Sequence, residues 1–335
     1  MITTKRDPFA RNHLIRNAIS AAIYDCMKTD PSIYLFGEGA HMKMHYDAPH
    51  IEKEFPDRVV TLPISEDGNT NFAVGASLLG VKPVVDVITA DFLYRTMDSI
   101  CNTAAKRYFV APEGSDPPTI VVRSEFLLGG PTTGQRPEAL FTHIPGLNVV
   151  CPSTPRDAYG LMLTALTQPG TTLFFEDRMI EDDKIALTDC LRMGGPIPLA
   201  SASVRRRPSP LSLSVITYGL MRQVVESALD QAKLDNVNVV DLRTLYPLDW
   251  PTLFDFAHQS RRILIVEPDI EYGGIGAEIS AKLYEANRPP LRVRRLGAPH
   301  LTIPASIAHH QDMLPTEDSI IKAIHSLRRE PTWKS

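Results

Sequence analysis

The sequence predicts an α/β protein built as two doubly wound domains. Short β-branched runs alternate with amphipathic stretches along most of the chain. The runs are apolar throughout, as parallel strands covered by helices on both faces require. And 335 residues exceed what one ordinary core holds. A polar, Pro- and Ser-rich break over 178–211 interrupts the alternation. It divides the chain into a first domain over 1–185, a linker over 186–211 and a second domain over 212–330.

Ile15, Ile19, Ala22 and Cys26 recur at helical spacing, so the basic start MITTKRDPFARNHLIRN leads into a first folded helix and is not a leader. Strands are predicted over 32–38, 58–63, 82–88, 119–123, 147–152 and 171–177. Phe72, Ala76 and Leu79 share a helix face, with Asn69 as its N-cap. Met97, Ile100, Cys101, Ala104 and Ala105 mark a further helix. Ser153 or Thr154 caps a helix that begins near Pro155. In the second half, strands are predicted over 213–219, 237–242, 262–268 and 291–296. One helix there carries Met221, Val224, Val225 and Leu229, and another comes after GGIG (273–276).

Composition narrows the function classes. A net charge of −4 with no long basic stripe argues against nucleic acid. No stretch approaches the ~20 apolar residues that cross a bilayer, so no membrane partner is expected. The four cysteines are scattered without C-x-x-C pairing. That predicts reduced thiols, a cytoplasmic location and no zinc or other metal ligands.

Ligands of doubly wound sheets sit at the carboxyl ends of strands. The segments there are FGEG, PISEDGN, ITADF, VRSEFLLGGPTTGQ and VEPDIEYGGIG. From spacing alone Glu66 is a helix-capping carboxylate, Phe92 a core aromatic and His143 a packed residue. GGIG suits either a phosphate cradle or close helix packing, the latter being commoner. The chain has no G-x-x-x-x-G-K-[ST], G-x-S-x-G or H-E-x-x-H string.

Read in order, PISEDGNTNFAVGASLLG, ADFLYRTMDSICNTAAKRY, GQRPEALFTHIPGLNVVCPSTPRDAYGLM, LRTLYPLD, GGIGAEI and HLTIPAS resemble one family over 12–327. It is the β subunit of the thiamine-diphosphate-dependent 2-oxoacid dehydrogenases (pyruvate, branched-chain and acetoin types), within the transketolase-like superfamily. The resemblance implies a pyrimidine-binding domain followed by a transketolase C-terminal-like domain. It implies that Glu66 contacts a ring nitrogen of the cofactor's aminopyrimidine, that Phe92 lies against that ring and that Ile64 lines the same pocket. A carboxyl group placed there, in a dry pocket, shares its proton with the ring and so switches the cofactor on.

The superfamily holds Mg²⁺ and diphosphate through a GDG…N signature, and this chain has no GDG. The resemblance therefore implies an α subunit that carries that site and binds Mg²⁺, commonly in an α2β2 tetramer, and activity only with that partner. It implies decarboxylation of a 2-oxoacid and transfer of the acyl unit to a lipoyl carrier, with a lipoyl acyltransferase as further partner.

Two departures keep other readings open. Thr133-Gly134-Gln135 stands where the family has His-Ser-Gln, and a threonine cannot protonate a carbanion at neutral pH. GAHMKMHYDAPH (39–50) replaces a Gly-Gly-aromatic stretch. His41 and His45 there belong to a polar surface loop or supply a substitute proton donor. The alternatives are a pathway-specific relative that moves a two-carbon or acyl unit to a carrier protein, and a non-catalytic assembly subunit.

Overall fold

A computed structural model describes residues 14–38, 49–127, 129–180, 194–205, 213–286, 291–306, 309 and 312–330. Helix α1 (Leu14–Thr29) precedes β1 (Ile33–Gly37). Then come α2 (Pro49–Glu54), β2 (Val59–Thr61), α3 (Glu66–Ser77) and β3 (Lys82–Thr89). A 3-10 turn (Ala90–Thr96) and a π-helical segment (Asp98–Ala104) lead through α4 (Arg107–Val110) to β4 (Thr119–Phe126). The first half closes with α5 (Glu138–Thr142), β5 (Leu147–Val150), α6 (Pro155–Thr167) and β6 (Gly170–Asp177). The second half runs β7 (Ser203–Arg205), β8 (Leu213–Thr217), α7 (Leu220–Gln231), β9 (Val237–Asp241), β10 (Thr244–Tyr246) and α8 (Trp250–Ser260). It ends with β11 (Arg262–Ile270), α9 (Ile275–Ala286), β12 (Arg292–Ala298) and α10 (Glu317–Arg329).

These elements make two sheets. The larger has the order β10-β5-β6-β4-β3-β1-β2 and the smaller β12-β11-β8-β9-β7. Every neighbouring pair is parallel except β10 with β5 and β7 with β9, each at a sheet edge. Both faces are covered, and all eight residues of β4 and of β6 are buried. That is why these strands carry apolar runs at their centres, Ile120 to Val122 and Leu173 to Phe175. The apolar residues form two clusters, one on each face, and each contains residues from both halves of the chain.

All ten predicted strands form. Two more form that periodicity does not reveal. β7 lies inside the segment read as linker and pairs antiparallel with β9. β10 leaves the second half to pair antiparallel with β5 of the first sheet, Thr244 opposite Val150. Around that crossing Cys151 N donates to Arg243 O at 2.9 Å, Ser153 Oγ donates to Asp241 at 2.8 Å and Arg243 pairs with Asp157 at 2.8 Å.

Helix α3 overturns one expectation. Asn69 is not its cap. The helix begins at Glu66 after Ser65, and buried Asn69 donates from Nδ2 to Pro63 O at 3.0 Å. The face built from Phe72, Ala76 and Leu79 is not the buried one either. Phe72 is 53% exposed and Leu79, beyond the helix end, 87%. The sheet side takes Thr70, Ala73, Val74 and Ser77 instead. Small side chains let the helix approach the sheet closely, and that outweighs the bulk of Phe72. Thr154 is the cap of α6, accepting from Asp157 N at 3.1 Å.

The turn entering β5 depends on Gly146. Its φ is +96°, and a Cβ there would lie 2.2 Å from the carbonyl oxygen of Ala105. Gly146→Ala combines an unfavourable backbone with a hard clash. It is expected to cost at least about 2 kcal/mol, read as a lowered midpoint in urea-induced unfolding.

Candidate functional site

Three parallel strands, β3, β1 and β2, deliver their carboxyl ends to one place. β1 and β3 pair in register from Ile33↔Lys82 to Gly37↔Asp86. Gly37 permits the closest approach, since a Cβ there would sit 2.9 Å from Asp86 Cβ. Glu38 comes directly after β1, and its Oε1 accepts the Ser65 N–H at 2.8 Å. That bond fixes the loop that turns from β2 into α3. Burial raises the Glu38 pKa, the Ser65 N–H opposes this, and the Glu66 and Asp86 carboxylates add to the rise.

Glu66 is the first residue of α3 and is 9% exposed. Its Oε2 lies 3.4 Å from Nε of Arg95, whose side chain is largely exposed. No donor among the described residues reaches its other oxygen. The N-terminus of α3 is further fixed by Asp67, which accepts from Ser99 Oγ, while Asn71 Nδ2 donates to the same hydroxyl at 2.8 Å. The carboxylate thus stands at a positive helix end on a rigid base.

Phe92 is half-buried in the 3-10 turn after β3 and packs against the second apolar cluster. Arg95 belongs to the same turn, so this short segment presents both the aromatic ring and the cation paired with Glu66. Gln135 joins it from the other side. Its N–H lies 3.3 Å from both Asp91 carboxylate oxygens, and Tyr94 O–H donates to its Oε1 at 3.4 Å. Thr133 closes a tight loop, with Gly129 N donating to Thr133 O at 3.2 Å and Thr133 N to Gly130 O at 3.3 Å. Ile64 is 84% exposed just before α3. His41 and His45 lie outside the described residues.

Sequence reasoning passed over Asp91, Tyr94 and Arg95. Asp91 lies in a segment marked as lying just past a strand. The others carry no signal until the tight turn places them. Among the described residues no group of three or more His, Cys, Asp or Glu is arranged to hold a metal, and no helix is long and apolar enough to cross a membrane.

The GGIG segment holds the chain's own carboxylate. Buried Glu267 accepts the Gly276 N–H at 3.0 Å. A Cβ at Gly274 or Gly276 would come within 2.6 Å of the Glu267 carboxylate. The helix N-terminus that suggested a phosphate cradle is therefore filled from within.

Glu267 belongs to a buried acidic group between the two halves, with Glu138 and Asp269. Tyr218 O–H donates to Glu138 at 3.1 Å. Burial and then the Asp269 charge push Glu138 well above the usual carboxylate range, and burial pushes Glu267 up to about 7. In the unfolded chain such groups titrate at roughly 4. The folded state therefore holds their protons more tightly. That stability is present below about pH 4 and is lost as pH rises through about 7. Melting temperature is expected to fall between pH 5.5 and 8.5. In Glu267→Gln the fall should be shallower, as tracked by calorimetry at fixed ionic strength.

Known proteins share this architecture. Residues 13–180 match the family described as transketolase, pyrimidine binding domain, and 203–320 match transketolase, C-terminal domain. The chain is 31% identical to the acetoin:2,6-dichlorophenolindophenol oxidoreductase subunit beta of Cupriavidus necator, covering 94% of this chain and 97% of that one. It is 28% identical to the pyruvate dehydrogenase E1 component subunit beta of Rickettsia felis, covering 92% and 96%. It is 29% identical to the mitochondrial 2-oxoisovalerate dehydrogenase subunit beta 2 of Arabidopsis thaliana, covering 92% and 87%. Among solved structures, a split gene transketolase described as an inactive beta4 tetramer superposes with a TM-score of 0.77. Its identity is 18%, with 94% of this chain and 97% of that one covered.

Proposed function

Because the chain belongs to the transketolase-like family of 2-oxoacid dehydrogenase E1 β subunits, we propose that it supplies the pyrimidine half of a thiamine-diphosphate site completed by an α subunit. The observation that carries this is Glu66, a buried carboxyl at the start of α3 with one oxygen free of protein donors among the described residues. Phe92 sits on the adjoining turn as an aromatic surface. Together they fit a flat, nitrogen-bearing ring. Arg95 does not block it. An ion pair with so exposed a partner contributes about 0–1 kcal/mol, and a ring hydrogen bond to a buried carboxyl replaces it.

Thiamine diphosphate, when bound, supplies a carbon nucleophile and an electron sink. This chain's share is proton placement and orientation. With the cofactor bound, Glu66 would share a proton between its carboxyl and a ring nitrogen. Phe92 would then hold the plane of the ring and exclude water. Glu38 holds the Glu66 loop through Ser65, so it is a positioning residue. Exposed Ile64 fits a residue that completes its pocket only against a partner surface. Gln135 and Thr133 belong to the loop beside the Phe92 turn. Thr133 is a hydroxyl and not an acid, so protonation of a carbanion would fall to another group.

The α subunit carries the diphosphate and Mg²⁺ ligands in this proposal, in an α2β2 assembly that hands its acyl unit to a lipoyl acyltransferase. The names of the relatives support the dehydrogenase reading over transfer to a carrier protein or a purely structural role. Among the described residues, Cys26, Cys101 and Cys151 are unpaired and buried, which supports the cytoplasm as the compartment.

Glu66→Gln in the reconstituted αβ enzyme is expected to slow exchange of the cofactor's C2 proton with deuterium at least 100-fold. Assembly, monitored by size-exclusion chromatography, should not change. Exchange at the wild-type rate would remove Glu66 from this role. In calorimetry, the chain without its partner is expected to bind thiamine diphosphate and Mg²⁺ at least 100-fold more weakly than the αβ complex. Tight Mg²⁺-dependent binding by the chain alone would refute the half-site.

A further inference from the structure

Between the two domains lies a cavity of about 350 Å³. That is a common size for small-ligand sites, and domain interfaces are where such sites occur. The first half contributes Tyr94, Gln135 and Arg136 to its wall, and the second contributes Asp269, His300 and Ile303. Prolines and aliphatic side chains make up most of the rest.

Asp269 lines this cavity yet is only 6% exposed. Its Oδ1 accepts the Ile270 N–H at 2.6 Å. Its second oxygen has no donor among the described residues. Glu138 is near it, wholly buried and with Oε2 lacking a hydrogen-bond partner, and so is Glu267. Arg136 lines the cavity too and its charge acts on Asp269, but the structure places no hydrogen bond between them, and its Nη1 has no hydrogen-bond partner among the described residues. Arg136 pairs with Asp177 and lies 4.3 Å over the Phe126 ring, and Arg295 pairs with Glu271 at 3.7 Å. Tyr94 is a neutral phenol whose pKa is pushed up to about 12 by burial. His300 lines the cavity, its ring stacked on exposed Tyr272 with centroids 5.4 Å apart. The cavity therefore combines one lining carboxyl group, with two more acids buried behind it, with apolar walls and the His300 ring.

We propose that this interdomain cavity binds a small organic cation, a protonated amine on an apolar or aromatic body, with Asp269 as its counter-ion. An ammonium group gives the unpartnered oxygen a charge-assisted hydrogen bond. An anionic ligand meets like charge from the ionised Asp269. A neutral ligand leaves the second Asp269 oxygen without a hydrogen-bonding cation in a largely apolar setting. The apolar walls and the His300 ring take the ligand's body. The site does not use Glu66 or Phe92, although Tyr94 and Gln135 on its wall belong to the turn and loop beside them.

Burial holds Asp269 above the usual carboxylate range, the Ile270 N–H opposes this, Glu267 adds to the rise and the Arg136 charge works against it. A bound ammonium stabilises the ionised form. Binding therefore tightens as pH rises through neutrality and releases a proton on the acid side.

The test uses the full chain, isothermal calorimetry and two probes of one shape, 2-phenylethylammonium and 2-phenylethanol. At pH 8 the ammonium is expected to bind at least tenfold more tightly than the alcohol. Its affinity should rise at least fivefold from pH 6 to pH 8. Asp269→Asn should erase that preference and keep the alcohol. Thr302→Trp, at the exposed part of the cavity wall, should lose both probes. Equal affinity for the two probes would show an apolar cavity only and overturn the proposal. So would binding of neither probe, an unchanged preference in Asp269→Asn, or both probes retained in Thr302→Trp. If Asp269→Asn does not fold, the charged-to-neutral ratio and the pH slope of the wild type decide alone.

Discussion

The level alignment of β1 with β3 is the constraint on which the candidate site rests. Gly37 stands opposite Asp86 with no room for a side chain between them. Two strand ends therefore finish together, and the segments leaving them must share one small volume. Glu38 leaves one strand and ties down the start of α3. The 3-10 turn leaves the other and brings Phe92 and Arg95 alongside. A one-residue slip in this pairing would turn every side chain of β1 to the opposite face. The buried apolar runs on both sides of the sheet make register costly to change, so core packing and site geometry are one problem.

Charge is handled in the same way throughout. At the ends of β4 and β6, Arg123 pairs with Glu176, Glu125 with Arg16 and Arg178, and Asp177 with Arg136. Buried pairs of this kind add little net stability, but removing one partner is expensive. They act as pins that keep strand ends and loops in a single arrangement. Against that background Glu66 stands out, because Arg95, its cationic partner among the described residues, is largely exposed.

Much of this was legible in the sequence, and the rest was hidden for identifiable reasons. Ten strands announced themselves because buried parallel strands need continuous β-branched runs. β7 and β10 did not, being three residues long and antiparallel at sheet edges. The face of α3 was misread because bulk was taken as the sign of burial, whereas the sheet selects Ala73, Val74 and Ser77 for closeness. Glu66 and Phe92 were singled out by the ordered motifs, not by spacing. Arg95, Tyr94 and Asp91 depend on one turn of irregular helix, which no periodicity encodes. GGIG illustrates the opposite failure. A local string suggested an outside anion, and a carboxylate nine residues upstream of Gly276 had already filled the space.

The crossing of β10 bears on how separable the two halves are. By composition the chain looks modular, with a polar seam inviting a cut. Yet the larger sheet borrows its outermost strand from beyond that seam, and both apolar clusters draw on both halves. A fragment ending at the seam would expose the edge of β5 and the surface beneath the missing strand. Such an edge is a template for pairing with other chains. The larger sheet and both apolar clusters are thus complete only with both halves present.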